Sequence, residues 1–159
     1  MKMNRKPLDK SLTPEQCGKL LAVAEGELKG LILVALTTGQ QIRDIIAFRR
    51  IDVDMIKGIM HFHISKTGVT VEISLDPRVR MWIEQQPESI VPMESDTPLL
   101  PQLASRGAAR TSSYCRKLGQ KVGVTVSAES FRQTFVRQLV GKGTPMAAIH
   151  AIMGYRSRK

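Results

Sequence analysis

The chain has 159 residues, 42% of them apolar and 4% aromatic, with 24 Lys+Arg against 14 Asp+Glu and two cysteines. A chain this apolar can fill one real core and buries enough surface to offset its ordering entropy, which excludes a disordered basic tail. Residues 1–105 carry 13 basic and 13 acidic side chains and residues 106–159 carry 11 and one, so the net charge of +10 lies entirely in the last third and calls for a polyanion, nucleic acid ahead of an anionic membrane.

Residues 1–12 read as a basic, poorly ordered lead-in. Thr13-Pro14-Glu15-Gln16 then starts a helix with an N-cap hydroxyl, a proline at the first helical position and a Gln able to complete a capping box. Leu20, Leu21, Val23 and Ala24 carry this helix to about Glu25. Leu28 to Thr38 predicts a second helix, apolar on most sides and therefore central, which Gly39 ends. A third, Gln41 to Phe48, turns Ile42, Ile45, Ile46 and Phe48 inward.

From Ile51 the apolar period falls from 3.6 to 2. Met55-Ile56 leads into Ile59 to Ile64 and then Thr70 to Leu75, a small antiparallel sheet with Lys66 at or beside the turn Ser65–Gly68. Pro77 opens a short helix through Trp82. The stretch from Pro87 to Pro101 holds four prolines and reads as a loop with a short strand near Leu99-Leu100. Arg106 to Val122, Ala128 to Gly141, and Thr144-Pro145 to Met153-Gly154 predict three more helices. The fold class is α+β, mainly helical, with a small antiparallel sheet.

Cys17 and Cys115 lack any paired spacing and read as buried small hydrophobes in a reducing compartment. No stretch reaches the roughly 18 apolar residues of a membrane span, and no apolar segment follows the basic start as in a secretory signal. The expectation is a soluble, cytoplasmic protein with no membrane partner. There is no P-loop, paired Cys-x-x-Cys, HExxH or G-x-S-x-G. His61 and His63 share a strand face, a spacing that suits a metal but lacks a third ligand nearby, and a solvated strand face is the plainer account. His150 reads as a surface residue.

Three segments carry more weight together: Thr38-Gly39-Gln40-Gln41-Ile42-Arg43-Asp44-Ile45, the turn Ser65-Lys66-Thr67-Gly68, and Phe131-Arg132-Gln133-Thr134-Phe135 with Ile152-Met153-Gly154-Tyr155-Arg156-Ser157. In order and spacing this set resembles the catalytic domain of tyrosine recombinases, the phage integrase family, and is most similar to lambdoid integrases from Thr13 onward. The resemblance implies that family's fold, double-stranded DNA and other recombinase protomers as partners, and a nucleoid-associated or phage-encoded protein in the cytoplasm. It also implies attack of a tyrosine hydroxyl on a phosphodiester to leave a 3′-phosphotyrosine link, with no metal or nucleotide cofactor. Two arginines, a lysine and two His-type donors meet the charge that gathers on the phosphorane.

On this resemblance Lys66 matches the hairpin lysine that protonates the leaving 5′-oxygen, and Arg132 the second arginine. The other positions depart from the pattern. The first arginine falls on Gln41 with Thr38, Gly39 and Asp44 in register, while Arg43, two helical residues on, points roughly 200° around the axis. The first His-type donor falls on Glu129, an anion facing a phosphate, and the second on Tyr155, which can still donate a hydrogen bond. The family tyrosine lies about nine residues past the Tyr155 position, whereas the chain ends four residues after it. The expectation is an integrase-type domain over residues 13–159 without the tyrosine segment or the N-terminal core-binding domain, inactive in cleavage as it stands; Tyr155 as a displaced nucleophile is the weaker account. DNA would lie against Lys66, Arg43, Arg137 and the basic set Arg106, Arg110, Arg116, Lys117 and Lys121. A non-enzymatic DNA-binding or regulatory module is the alternative, as is a decaying remnant whose charges are only a solvated face.

Overall fold

The computed structural model describes residues 9–87 and 95–155. Helix α1 (Pro14–Val23) starts at the expected capping box: Gln16 N–H donates to Thr13 Oγ1 at 3.1 Å and Thr13 N–H to Gln16 Oε1 at 2.9 Å. Helix α2 (Gly26–Thr38) is buried on every side from Gly30 to Leu36 and forms the axis of the main core. Two glycines let its neighbours close on it. A Cβ at Gly30 would overlap the Trp82 indole of α4 (Pro77–Glu84), and one at Gly39 would overlap the Phe135 ring of α7 (Ser130–Gly141).

After α3 (Ile42–Ala47) and a 3-10 turn (Arg50–Asp52), three strands form an antiparallel sheet in the order β1-β2-β3: Val53–Asp54, Ile59–His63 and Thr70–Ser74. Met60 and Phe62 of β2 face inward, paired with Ile73 and Val71, and Phe62 stacks on Phe48 at 4.6 Å. Beside the sheet Asp52 is buried. Burial works against its ionisation, but hydrogen bonds from the Arg49 guanidinium (3.2 Å) and N–H (3.0 Å) prevail and hold the carboxyl below the usual carboxylate range.

The later helices are α5 (Pro101–Arg106), α6 (Ala108–Lys121), α7 and α8 (Met146–Ile152). A second, small core of Phe135, Ile149 and Met153 joins α7 to α8. Both cysteines are buried and free, and burial pushes the Cys115 thiol up to about 12 and the Cys17 thiol in the same direction. No helix among the described residues is long and apolar enough to cross a membrane.

Several local expectations need correction. The segment from Pro101 is a helix of its own, because Glu27 of α2, distant in sequence, accepts from the N–H groups of Gln102 (2.9 Å) and Leu103 (3.1 Å) at its start. Gly107, at φ +90°, separates it from α6, so Arg106 ends α5 and does not begin the long basic helix. Helix α7 begins at Ser130, two residues later than Ala128, since Ser127 N–H donates to Ser130 Oγ and closes a turn first. Met55-Ile56 lies in the β1–β2 turn, where the Asp54 carboxylate accepts from Ile56 and Lys57. The strand near Leu99-Leu100 reduces to one bridge, Arg49 to Pro98, beside a Leu99 N–H to Phe48 O bond; residues 88–94 of that loop lie outside the described residues. So do residues 1–8 of the lead-in, while residues 9–12 lie on α7: Leu12 is buried, its N–H donates to Thr134 Oγ1 (2.8 Å), and Lys10 N–H donates to Gln133 Oε1 (2.7 Å).

Candidate functional site

The N-terminus of α3, the β2–β3 turn, the first turn of α7 and the end of α8 converge on a cavity of about 190 Å³, lined by Gln41, Lys66, Thr67, Glu129, Arg132 and Tyr155 among others. The five positions singled out from the sequence as retained or substituted thus share one pocket. Gln41 is the extended N-cap of α3 (φ −72°, ψ 149°), delivered there by the left-handed turn at Gly39. Lys66 is exposed on a turn closed by Gly68 N–H to Ile64 O and Ile64 N–H to Val69 O, both 2.8 Å. Buried Asp44 accepts from Ser65 N–H at 3.1 Å on one side of this lysine, and on the other Thr67 Oγ1 donates to Gly154 O at 2.9 Å.

Arg132 stands in the first turn of α7 and donates through Nη2 to the Tyr155 hydroxyl at 3.2 Å, its guanidinium 5.4 Å from the ring centre. The His150 ring also packs on that of Tyr155, at 75° to it with centroids 5.4 Å apart. Glu129 occupies the N-cap position of α7 without a side-chain capping bond. Neither Glu129 nor Lys66 enters an ion pair among the described residues. The helix N-terminus that would favour an incoming anion already carries a carboxylate. Chemically the pocket offers two cations, a neutral amide and a phenol to an anion, and opposes them with one negative charge.

The remaining candidates divide. Arg43 lines a groove of about 600 Å³ that adjoins the pocket and includes Gln41, Lys66 and the Ala108, Ala109 and Ser112 side of α6. Gln41 is extended at the N-cap of α3, so the two are not related by a rotation between helical residues; Arg43 lines the groove and not the pocket. Arg106, Lys117 and Lys121 line another groove of about 590 Å³, facing Glu25 and Glu27. Arg106 there donates to the Tyr114 hydroxyl at 3.3 Å and lies over its ring. Arg110 and Arg116 are exposed on α6, the latter donating to Ser113 Oγ at 3.4 Å. Arg137 is held by Asp9 and Ser11, each at 2.9 Å. The basic residues of α6 therefore point to two flanks and not to one surface.

His61 lies 3.6 Å from Glu72, and His63 3.5 Å from Asp52 and 3.1 Å from Thr70 Oγ1. No group of three or more metal-ligating side chains occurs among the described residues. Arg156 and Ser157 of the terminal motif lie outside the described residues. Thr67 and Asp44 belong to the motif segments, yet their bonds to Gly154 and Ser65 on either side of Lys66 are long-range contacts that no local pattern signals.

A family model described as the phage integrase family matches residues 10–159. No curated protein matches. Among solved structures, the chain is similar to an integrase from mycobacterium phage Brujita (TM-score 0.76, 22% identity, 100% of this chain and 53% of that one). It is also similar to XerA recombinase (TM-score 0.75, 17% identity, 99% and 57%) and to the lambda integrase catalytic core (0.68, 18%, 94% of each). The chain spans a little over half the length of the first two.

Proposed function

The chain belongs to the phage integrase family, and on that premise we propose that it is the DNA-binding, catalytic-type domain of a site-specific recombinase, holding a backbone phosphate in the Lys66–Arg132 pocket without cutting the strand. The observation that carries this reading is the convergence of Gln41, Lys66, Glu129, Arg132 and Tyr155 on one cavity. The planar fork of Arg132 suits two non-bridging oxygens, Lys66 adds a mobile point charge, and the Gln41 amide and Tyr155 hydroxyl add neutral donors.

Cutting asks for more than binding. Charge develops on the phosphorane, and preorganised cationic and imidazole-type donors must meet it. Gln41 supplies a neutral group where the family uses arginine, and Glu129 an anion where it uses a donor, so transition-state stabilisation is lost at two of the five positions. The fold's likeness to a lambda integrase tetramer bound to a Holliday junction (TM-score 0.68) supports other recombinase protomers as further partners, acting with this domain on cytoplasmic DNA.

Fluorescence anisotropy with a labelled duplex tests the reading. K66A and R132A are each expected to weaken binding about three- to tenfold and to lower the salt slope by about one, while a nicked suicide duplex yields no covalent adduct. Unchanged affinity in both variants overturns phosphate binding at this pocket. A covalent adduct overturns the absence of cutting.

A further inference from the structure

We propose that Thr67 is a positioning residue that straps the Lys66 turn to the end of α8, so that Lys66 and the Arg132–Tyr155 pair meet a phosphate as one unit; its DNA-binding consequence rests on the reading above. The connection is continuous. Lys66 precedes Thr67, whose hydroxyl donates to Gly154 O at 2.9 Å. Gly154 precedes Tyr155, whose hydroxyl accepts from Arg132 at 3.2 Å.

The strap adds a hydrogen bond at the tip of the turn to the packing of α8 on β3. The Lys66 turn grows from a sheet packed into the main core, whereas Ile149 and Met153 tie α8 to α7 through the small one. At the junction Gly154 has φ +73°, and a Cβ on it would sit 2.5 Å from Ile64 Cγ1, so backbone meets the base of the turn with no side chain between. The Gln40 amide, 2% exposed, donates to Ile152 O at 2.9 Å and holds the same end of α8 from the α2–α3 turn. The Thr67 hydroxyl adds a hydrogen bond from the lysine's own turn to this assembly. Valine at this position keeps the shape and removes the donor; serine keeps the donor.

The test is a double-mutant cycle on DNA affinity combined with amide hydrogen exchange on the free protein. K66A is expected to weaken the wild type about fivefold but a T67V background less than about twofold, with T67S behaving as wild type. In the free protein T67V should speed exchange at both Gly68 and Tyr155 by about threefold or more, and T67S and K66A should not. T67A repeats both measurements should valine disturb folding. Equal costs of K66A in the two backgrounds, or Gly68 and Tyr155 amides unmoved by T67V, would overturn the strap. Should K66A leave wild-type affinity unchanged, the part of Lys66 in the phosphate-binding reading fails instead, and the exchange measurement by itself decides whether Thr67 couples the turn to α8.

Discussion

Glu129 is the residue on which the balance between binding and repulsion turns. It is exposed at the N-cap position of α7, borders the pocket of Lys66 and Arg132, and has no ion-pair partner among the described residues. Its charge borders the place an incoming phosphate would take at the protein surface, where solvent and salt reduce like-charge repulsion to about 1 kcal/mol. E129Q is therefore expected to tighten duplex binding about three- to tenfold, with the gain shrinking as salt rises; anisotropy titrations at two salt concentrations check both parts. That Gln41, Glu129 and Tyr155 depart from the pattern the resemblance implies was legible in the sequence, because the neighbouring motif residues stayed in register around them. The partnership of Tyr155 with Arg132 was not, since it depends on where α8 ends relative to α7.

At the scale of elements, the helix and strand order follows the sequence closely wherever periodicity and caps are local. The Thr13 capping box, the all-round apolar α2 and the alternation through β2 and β3 each carry their own signal. Helix α5 lacked such a signal because its capping carboxylate, Glu27, belongs to another helix. The contact of α2 with α7 sets the pocket, and it depends on Gly39. This residue has φ +67° and no room for a Cβ against Phe135. G39A is expected to cost roughly 2–4 kcal/mol, through left-handed backbone strain and displacement of the Phe135 ring. Urea unfolding measures that loss. DNA affinity should fall with it, since Phe135 and Arg132 ride on the same helix.

For the molecule as a whole, the basic residues of α6 do not form one face. The buried residues Thr111, Cys115, Leu118 and Gly119 of α6 leave two flanks. One, through Ala109 and Ser112, adjoins Lys66 and Arg43, and Arg116, four residues after Ser112, extends it. The other, with Lys117 and Lys121, looks across a groove toward Glu25 and Glu27. Duplex affinity should fall linearly with salt on logarithmic axes, and each lost phosphate contact should lower the slope by about 0.9. R43E and R116E are expected to weaken binding about tenfold, K117E and K121E less than about threefold; a salt titration of the four variants separates the flanks.

The sequence by itself determined the charge asymmetry, the α+β order and the positions that depart from the family's motif pattern, because composition, periodicity and motif spacing are properties of the chain read in line. Tertiary structure alone decided which of those residues meet. Lys66 is strapped through Thr67 to Gly154, Glu129 stands at a helix N-terminus beside the pocket, and Lys117 and Lys121 turn toward acidic residues of another helix. These are contacts between elements distant in sequence, and the packing of α8 on β3, of α7 on α2 and of α6 on α2 sets them.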